Sequence, residues 1–142
     1  MKKIAILFLA GILSIALSAA SMAEDEPQSG QEAGEQLFQI ARLVIAGSVD
    51  SLEPVGVVDA FAASTEKVYC FLEAHQVRED TTASFVWYHG ETRMAVVDLP
   101  LRKGARWRTY SSKKLGGRTG DWRVEIHDAA GNVLEVVGFT VE

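Results

Sequence analysis

The sequence predicts an all-β domain: a seven-stranded antiparallel β-sandwich of the immunoglobulin-like kind, with a small β-barrel as the alternative closure. Two observations carry this. Apolar residues recur with period two along most of the chain, the alternation of strands with one face buried. Turn signals rich in Gly, Pro, Asn and Asp break that alternation at short spacing, and seven such runs fit into roughly 105 residues. Pattern alone does not separate the two closures.

The elements follow in chain order. Lys2 and Lys3 form a short basic region, Ile4 to Ala20 is uncharged and mostly aliphatic, and Ser21-Met22-Ala23 places small residues at the −3 and −1 positions. This is the layout of a cleavable signal peptide over residues 1–23, with the cut between Ala23 and Glu24. An uncleaved anchor competes, because the apolar run is near the lower length limit for a spanning helix. The acidic Glu24-Asp25-Glu26 directly after the small residues favours cleavage. The only cysteine, Cys70, is far from the junction, so no lipid attachment is expected there. The expectation is a free, exported protein of the Gram-negative periplasm. Residues 24–36, rich in Glu, Gln, Gly and Ser, bury too little apolar surface to offset their ordering entropy and read as a flexible linker. One domain over residues 37–142 remains.

A first strand is expected from about Phe38 to Ser48. The spacing of Leu37, Ile40, Ala41 and Val44 also permits a helical face, a minority reading for this segment. "VDSLEPVGVVDAF" follows, and Pro54 and Gly56 mark it as irregular chain. The second strand, Lys67 to His75, alternates Val68, Cys70 and Leu72 with Tyr69 and Phe71, so it is expected to be central and covered on both faces. Thr81 to His89 and Thr92 to Leu101 form a hairpin about Gly90-Glu91. Arg106 to Ser112 is the fifth strand. "DWRVEIHD" is the sixth, with Trp122, Val124 and Ile126 inward and Arg123, Glu125 and His127 outward. Val133 to Val141 closes the domain after the Ala129-Ala130-Gly131-Asn132 turn.

The chain has 14 Lys and Arg against 19 Asp and Glu. Loss of Lys2 and Lys3 with the signal peptide leaves 12 against 19, a net charge of −7. That balance argues against general nucleic-acid binding. Cys70 lies among apolar residues and reads as a core residue rather than a reactive thiol.

The last third carries a resemblance. "RWRTYSSKKL" and "TGDWRVEIHDAAGNVLEVVGFTVE" resemble a bacterial exported family known only as a domain of unknown function, number twenty-nine fourteen. "FVWYHGETRMAVVDLPL" is similar to the hairpin that precedes this block in the family, and "LEPVGVVDAF" to its early loop. The resemblance extends over about residues 38–142. Members often carry a histidine two residues before the hairpin tryptophan, where this chain has Phe85. The family brings no established catalytic or binding residues, so the resemblance implies boundaries and no mechanism.

The cations are segregated. Arg102, Lys103, Arg106, Arg108, Lys113, Lys114, Arg118 and Arg123 lie within 22 positions that hold Asp121 as the only acid. The candidate site is an anion-binding face of Arg106, Arg108, Tyr110 and Arg123. Guanidinium forks suit carboxylate, phosphate or sulfate, and Tyr110 could stack on a sugar or peptide group. The competing reading pairs these cations with the protein's own acids across strands. "KKLGGRTGDW" lacks phosphate-loop spacing. His75, His89 and His127 show no ligand spacing, and neither a metal nor another cofactor is expected. No catalytic motif is present. The sequence thus points to a non-enzymatic binding module that presents a basic aromatic face to an acidic protein, an anionic glycan or a lipid headgroup. A hydrolytic or carbohydrate-active enzyme with a site at one end of the sandwich is the alternative, and a subunit that docks by edge-strand pairing is a third reading.

Overall fold

The computed structural model describes residues 36–142. The signal segment and all but the last residue of the expected linker lie outside these. Nine strands occur among the described residues, and no helix: β1 (Gln39–Asp50), β2 (Glu53–Val57), β3 (Ala60–Phe61), β4 (Lys67–Val77), β5 (Thr81–His89), β6 (Thr92–Leu101), β7 (Gly104–Lys114), β8 (Gly120–His127) and β9 (Val133–Val141). They form two sheets, one in the order β2-β1-β4-β7 and the other in the order β3-β9-β8-β5-β6. The arrangement is a two-layer all-β sandwich.

Nine strands stand where seven are expected, and both extra ones come from "VDSLEPVGVVDAF". This stretch turns back on β1 as β2 and then crosses to the other sheet, where β3 pairs parallel with β9. The domain is therefore not wholly antiparallel. The turn escapes notice because its two central residues, Ser51 and Leu52, take φ of 52° and 57° without the Gly or Asn that advertises such a turn. The helical reading of the first segment also gives way. A bulge between Ile40 and Arg42 inserts Ala41 as an extra residue and flips the strand's parity. Ile40 before the bulge and Leu43 after it both pack on the core. The three-residue step between them imitates a helix.

The core lies between the sheets. Val68, Cys70, Leu72 and Ala74 of β4 face Ala83, Phe85 and Trp87 of β5 and Trp122, Val124 and Ile126 of β8. Each fully buried large side chain contributes about 1.5–3 kcal/mol relative to exposure. Trp122 stacks on Phe139 with centroids 5.9 Å apart, and Phe139 meets Trp87 edge-on at 6.4 Å. Trp87 donates its indole N–H to the Ser111 hydroxyl of β7 at 3.1 Å, a buried polar contact that ties one sheet to the other. Burial pushes the Cys70 thiol far above its ordinary ionisation range, which makes it an unreactive core residue.

β4 is central to its sheet, flanked by β1 and β7. Its outward Phe71 is fully buried, as two-sided alternation requires. No helix among the described residues is long and apolar enough to cross a membrane.

Candidate functional site: an arginine–glutamate face on the four-stranded sheet

Strand register sets the site. On β1, β4 and β7, Arg42, Glu73 and Arg108 stand in one cross-strand row. The row on one side holds Val44, Phe71 and Tyr110, and His75 lies opposite Arg106 on the other side. Because side chains alternate, Arg106, Arg108 and Tyr110 share the outer face, while Trp107 and Ser111 turn toward the core.

The β1–β2 hairpin brings a second acid to this face. The Glu53 carboxylate, at the hairpin tip, accepts from Arg42 Nη2 at 3.2 Å and from Arg108 Nη1 at 2.6 Å. Arg42 Nη2 also reaches Glu73 Oε1 at 3.3 Å. The other Glu73 oxygen accepts from His75 Nε2 at 2.8 Å and pairs with Arg106 Nε at 3.3 Å. An ionised carboxylate only accepts, so His75 carries its proton on Nε2. Glu53 thus sits over the row that contains Glu73, and the tip lies across the outer face. Leu52 lines an open groove of about 380 Å³ with Arg106, Trp107 and Arg108. Arg42 also stacks over the Phe71 ring at 5.0 Å, which helps to cover it.

Both carboxyls ionise more readily than an ordinary glutamate. Glu73 is held low first by the His75 hydrogen bond and then by the charges of Arg106, His75 and Arg42, against opposing desolvation. Glu53 is held low first by the Arg42 hydrogen bond, with Arg108 adding to it. Neither is a proton donor near neutral pH. The arrangement can hold anions. Among the described residues, no group of three or more His, Cys, Asp or Glu side chains is placed to hold a metal ion.

The structure brings three of the four expected site residues together: Arg106, Arg108 and Tyr110. Arg123 is elsewhere. It lies on β8 in the five-stranded sheet, because the link after β7 crosses between the layers. There its Nε pairs with Glu125 at 3.0 Å, its Nη1 donates to the Gly90 carbonyl at 3.0 Å, and its guanidinium stacks over Tyr88 at 3.9 Å. β7 and β8 are consecutive in sequence but lie in different sheets, so the four residues do not form a single face. Sequence reasoning also missed Arg42, Glu53, Glu73 and His75. Only strand register could have placed Arg42 and Glu73 beside Arg108, and only recognition of the tip turn could have placed Glu53. The Gly-rich loop after β7 is tied down by Trp122, whose indole donates to the Arg118 carbonyl at 3.0 Å.

Residues 80–141, which span β5 to β9, match the family described as "Protein of unknown function (DUF2914)". The resemblance expected for residues 38–79 lies outside that match. No curated protein matches the chain. Among solved structures, a β-glucosidase from Listeria innocua in complex with glucose is similar at 9% identity and a TM-score of 0.44, over 73% of this chain and 15% of that one. A β-glucosidase from Kluyveromyces marxianus is similar at 11% identity and a TM-score of 0.44, over 74% of this chain and 14% of that one. The chain thus spans about a seventh of the length of either protein.

Proposed function

We propose that this domain is a non-enzymatic binding module, exported to the periplasm, whose four-stranded outer face takes an acidic protein segment through Arg42, Arg106 and Arg108, with Tyr110 beside them. The strand order supports an immunoglobulin-like sandwich: β1-β4-β7 in one layer and β9-β8-β5-β6 in the other, with a fully buried tryptophan, Trp87, on β5. The observation that carries the binding role is the convergence of three guanidiniums, from β1 and β7, on one face of a net-acidic domain. Two glutamates lie among them, so the described cluster keeps a positive charge. A guanidinium has five donors, and the described contacts of Arg106 and Arg108 each use one. The remaining donors suit a further carboxylate.

The test is charge reversal. Arg106→Glu together with Arg108→Glu should abolish retention of the mature domain on an acidic peptide matrix at low salt. Arg123→Glu, on the other sheet, should leave retention nearly unchanged. Equal retention of wild type and the double variant would overturn the proposal.

A further inference from the structure

We propose that the tip of the β1–β2 hairpin is a built-in competitor for this face: Leu52-Glu53 occupies the arginine cradle as a stand-in for an apolar–acidic dipeptide of the partner, and binding displaces it. The inference rests on the binding role proposed above and concerns how that site is regulated and what it reads.

Three observations carry it. The first is the position of Glu53. Its two carboxylate oxygens bridge Arg42 and Arg108 across the central strand, the geometry in which a guanidinium pair receives an external carboxylate. The second is the means of attachment. Among the described residues, no backbone hydrogen bond joins the tip to β4 or β7, and its polar hold on the face is these two ion pairs. Glu53 is 50% exposed in both pairs, Arg42 is exposed and Arg108 is half-buried, and pairs with an exposed partner are individually weak. The third is the backbone. Ser51 and Leu52 both take left-handed φ, which β-carbon sterics disfavour, and Leu52 is 41% exposed where it lines the groove. Closing the hairpin accounts for the positive φ but not for an exposed leucine at the tip, where Gly or Asn would take the same backbone at lower cost.

The chemistry of the displacer follows from that of the occupant. Leu52 lines the groove with Arg106 and Arg108, and Glu53 pairs with Arg42 and Arg108. A partner segment with an aliphatic residue followed by Glu reproduces both contacts. The tethered tip competes at high effective concentration, so the open cradle is only part of the population and the apparent affinity is reduced by that fraction.

The experiment uses the mature protein, a synthetic acidic peptide with a central Leu-Glu pair, and the same peptide with Leu-Gln. Glu53→Gln should bind the Leu-Glu peptide about fivefold more tightly than wild type, since it releases the forks from their internal partner. The Leu-Gln peptide should bind neither protein. Arg108→Glu should abolish binding in both backgrounds. In the wild type, which needs no variant, peptide titration should move the Ser51 and Leu52 amide resonances toward those of a detached tip. Unchanged affinity in Glu53→Gln, with Arg108→Glu still abolishing binding, would overturn the competitor and leave the binding face standing. No effect of Arg108→Glu in either background would remove the face itself. Tightening toward vesicles of anionic phospholipid, without tightening toward the peptide, would overturn the peptide partner.

Discussion

The two outer faces of the sandwich carry the same small ladder with opposite consequences. On β4, Glu73 and His75 stand two residues apart, and Glu73 takes His75 at 2.8 Å and Arg106 at 3.3 Å. On β8, Glu125 and His127 repeat the spacing, and Glu125 takes His127 at 3.0 Å and Arg123 at 3.0 Å. Period-two geometry puts each pair on one face, and a neighbouring arginine closes the triad. What surrounds the ladders differs. Around Glu125 the arginine is held by a carboxylate, a carbonyl and the Tyr88 ring, so the ladder is a brace. Around Glu73 the described cluster has three arginines for two glutamates, one of them delivered by a hairpin tip. The first ladder therefore keeps a net positive charge among its described groups, and the second does not.

The largest difference should appear beneath the ladders. Each face buries an outward apolar side chain near its centre: Phe71 is 0% exposed and Val86 is 2% exposed. Phe71 lies under Arg42 on the face that the hairpin tip crosses, so Phe71→Ala should cost about 3–5 kcal/mol in urea denaturation, the range of a core phenylalanine. Val86→Ala removes fewer atoms and should cost about 1–2 kcal/mol. Equal, small losses at both sites would mean that the covering on the hairpin side is loose.

Next in size is the arginine of each triad. Arg123→Ala removes a stacked cation, an ion pair and a hydrogen bond, and should cost about 1–2 kcal/mol. Arg106, 52% exposed with one ion pair, should cost less than about 1 kcal/mol on the same substitution. A reversed order would mean that the first ladder is the brace.

This contrast was only partly legible in the sequence. "DWRVEIHD" shows its inward Trp122, Val124 and Ile126 and its outward Arg123, Glu125 and His127 directly, because an unbulged strand keeps its parity. The all-β class, the central position of β4 and the outward side of Arg106, Arg108 and Tyr110 follow from the same rule. Layer assignment does not. Nothing local tells whether the chain after Lys114 stays in its sheet or crosses, so the sequence pattern groups Arg123 with the wrong face. Register is equally silent: Arg42 and Glu73 are 31 positions apart and meet only through the β1–β4 ladder. The Ser51-Leu52 turn hides Glu53 because its backbone conformation is one that these residue types rarely signal.

The smallest effect should be the pH dependence, and it separates the acids of the two faces. Glu73 is held below the ordinary glutamate value of 4.5 first by His75, and Glu125 first by His127, each with an arginine adding to the shift. A depressed pKa in the folded state means that the unfolded chain binds more protons as the solution acidifies. The stability from each group is therefore complete above about pH 4.5 and is lost as pH falls through the folded value. Glu73→Gln and Glu125→Gln should each lower stability at pH 7 and flatten the decline below pH 4.5 to a similar degree. Glu53 is also held low, first by Arg42, but its carboxylate stands in solvent, where screening weakens the linkage. Glu53→Gln should flatten the acid limb least of the three. Urea midpoints from pH 7 to pH 2.5 check the order. If Glu53→Gln flattened the limb as much as Glu73→Gln, the tip would be a fixed part of the face, and the two ladders would differ only in size.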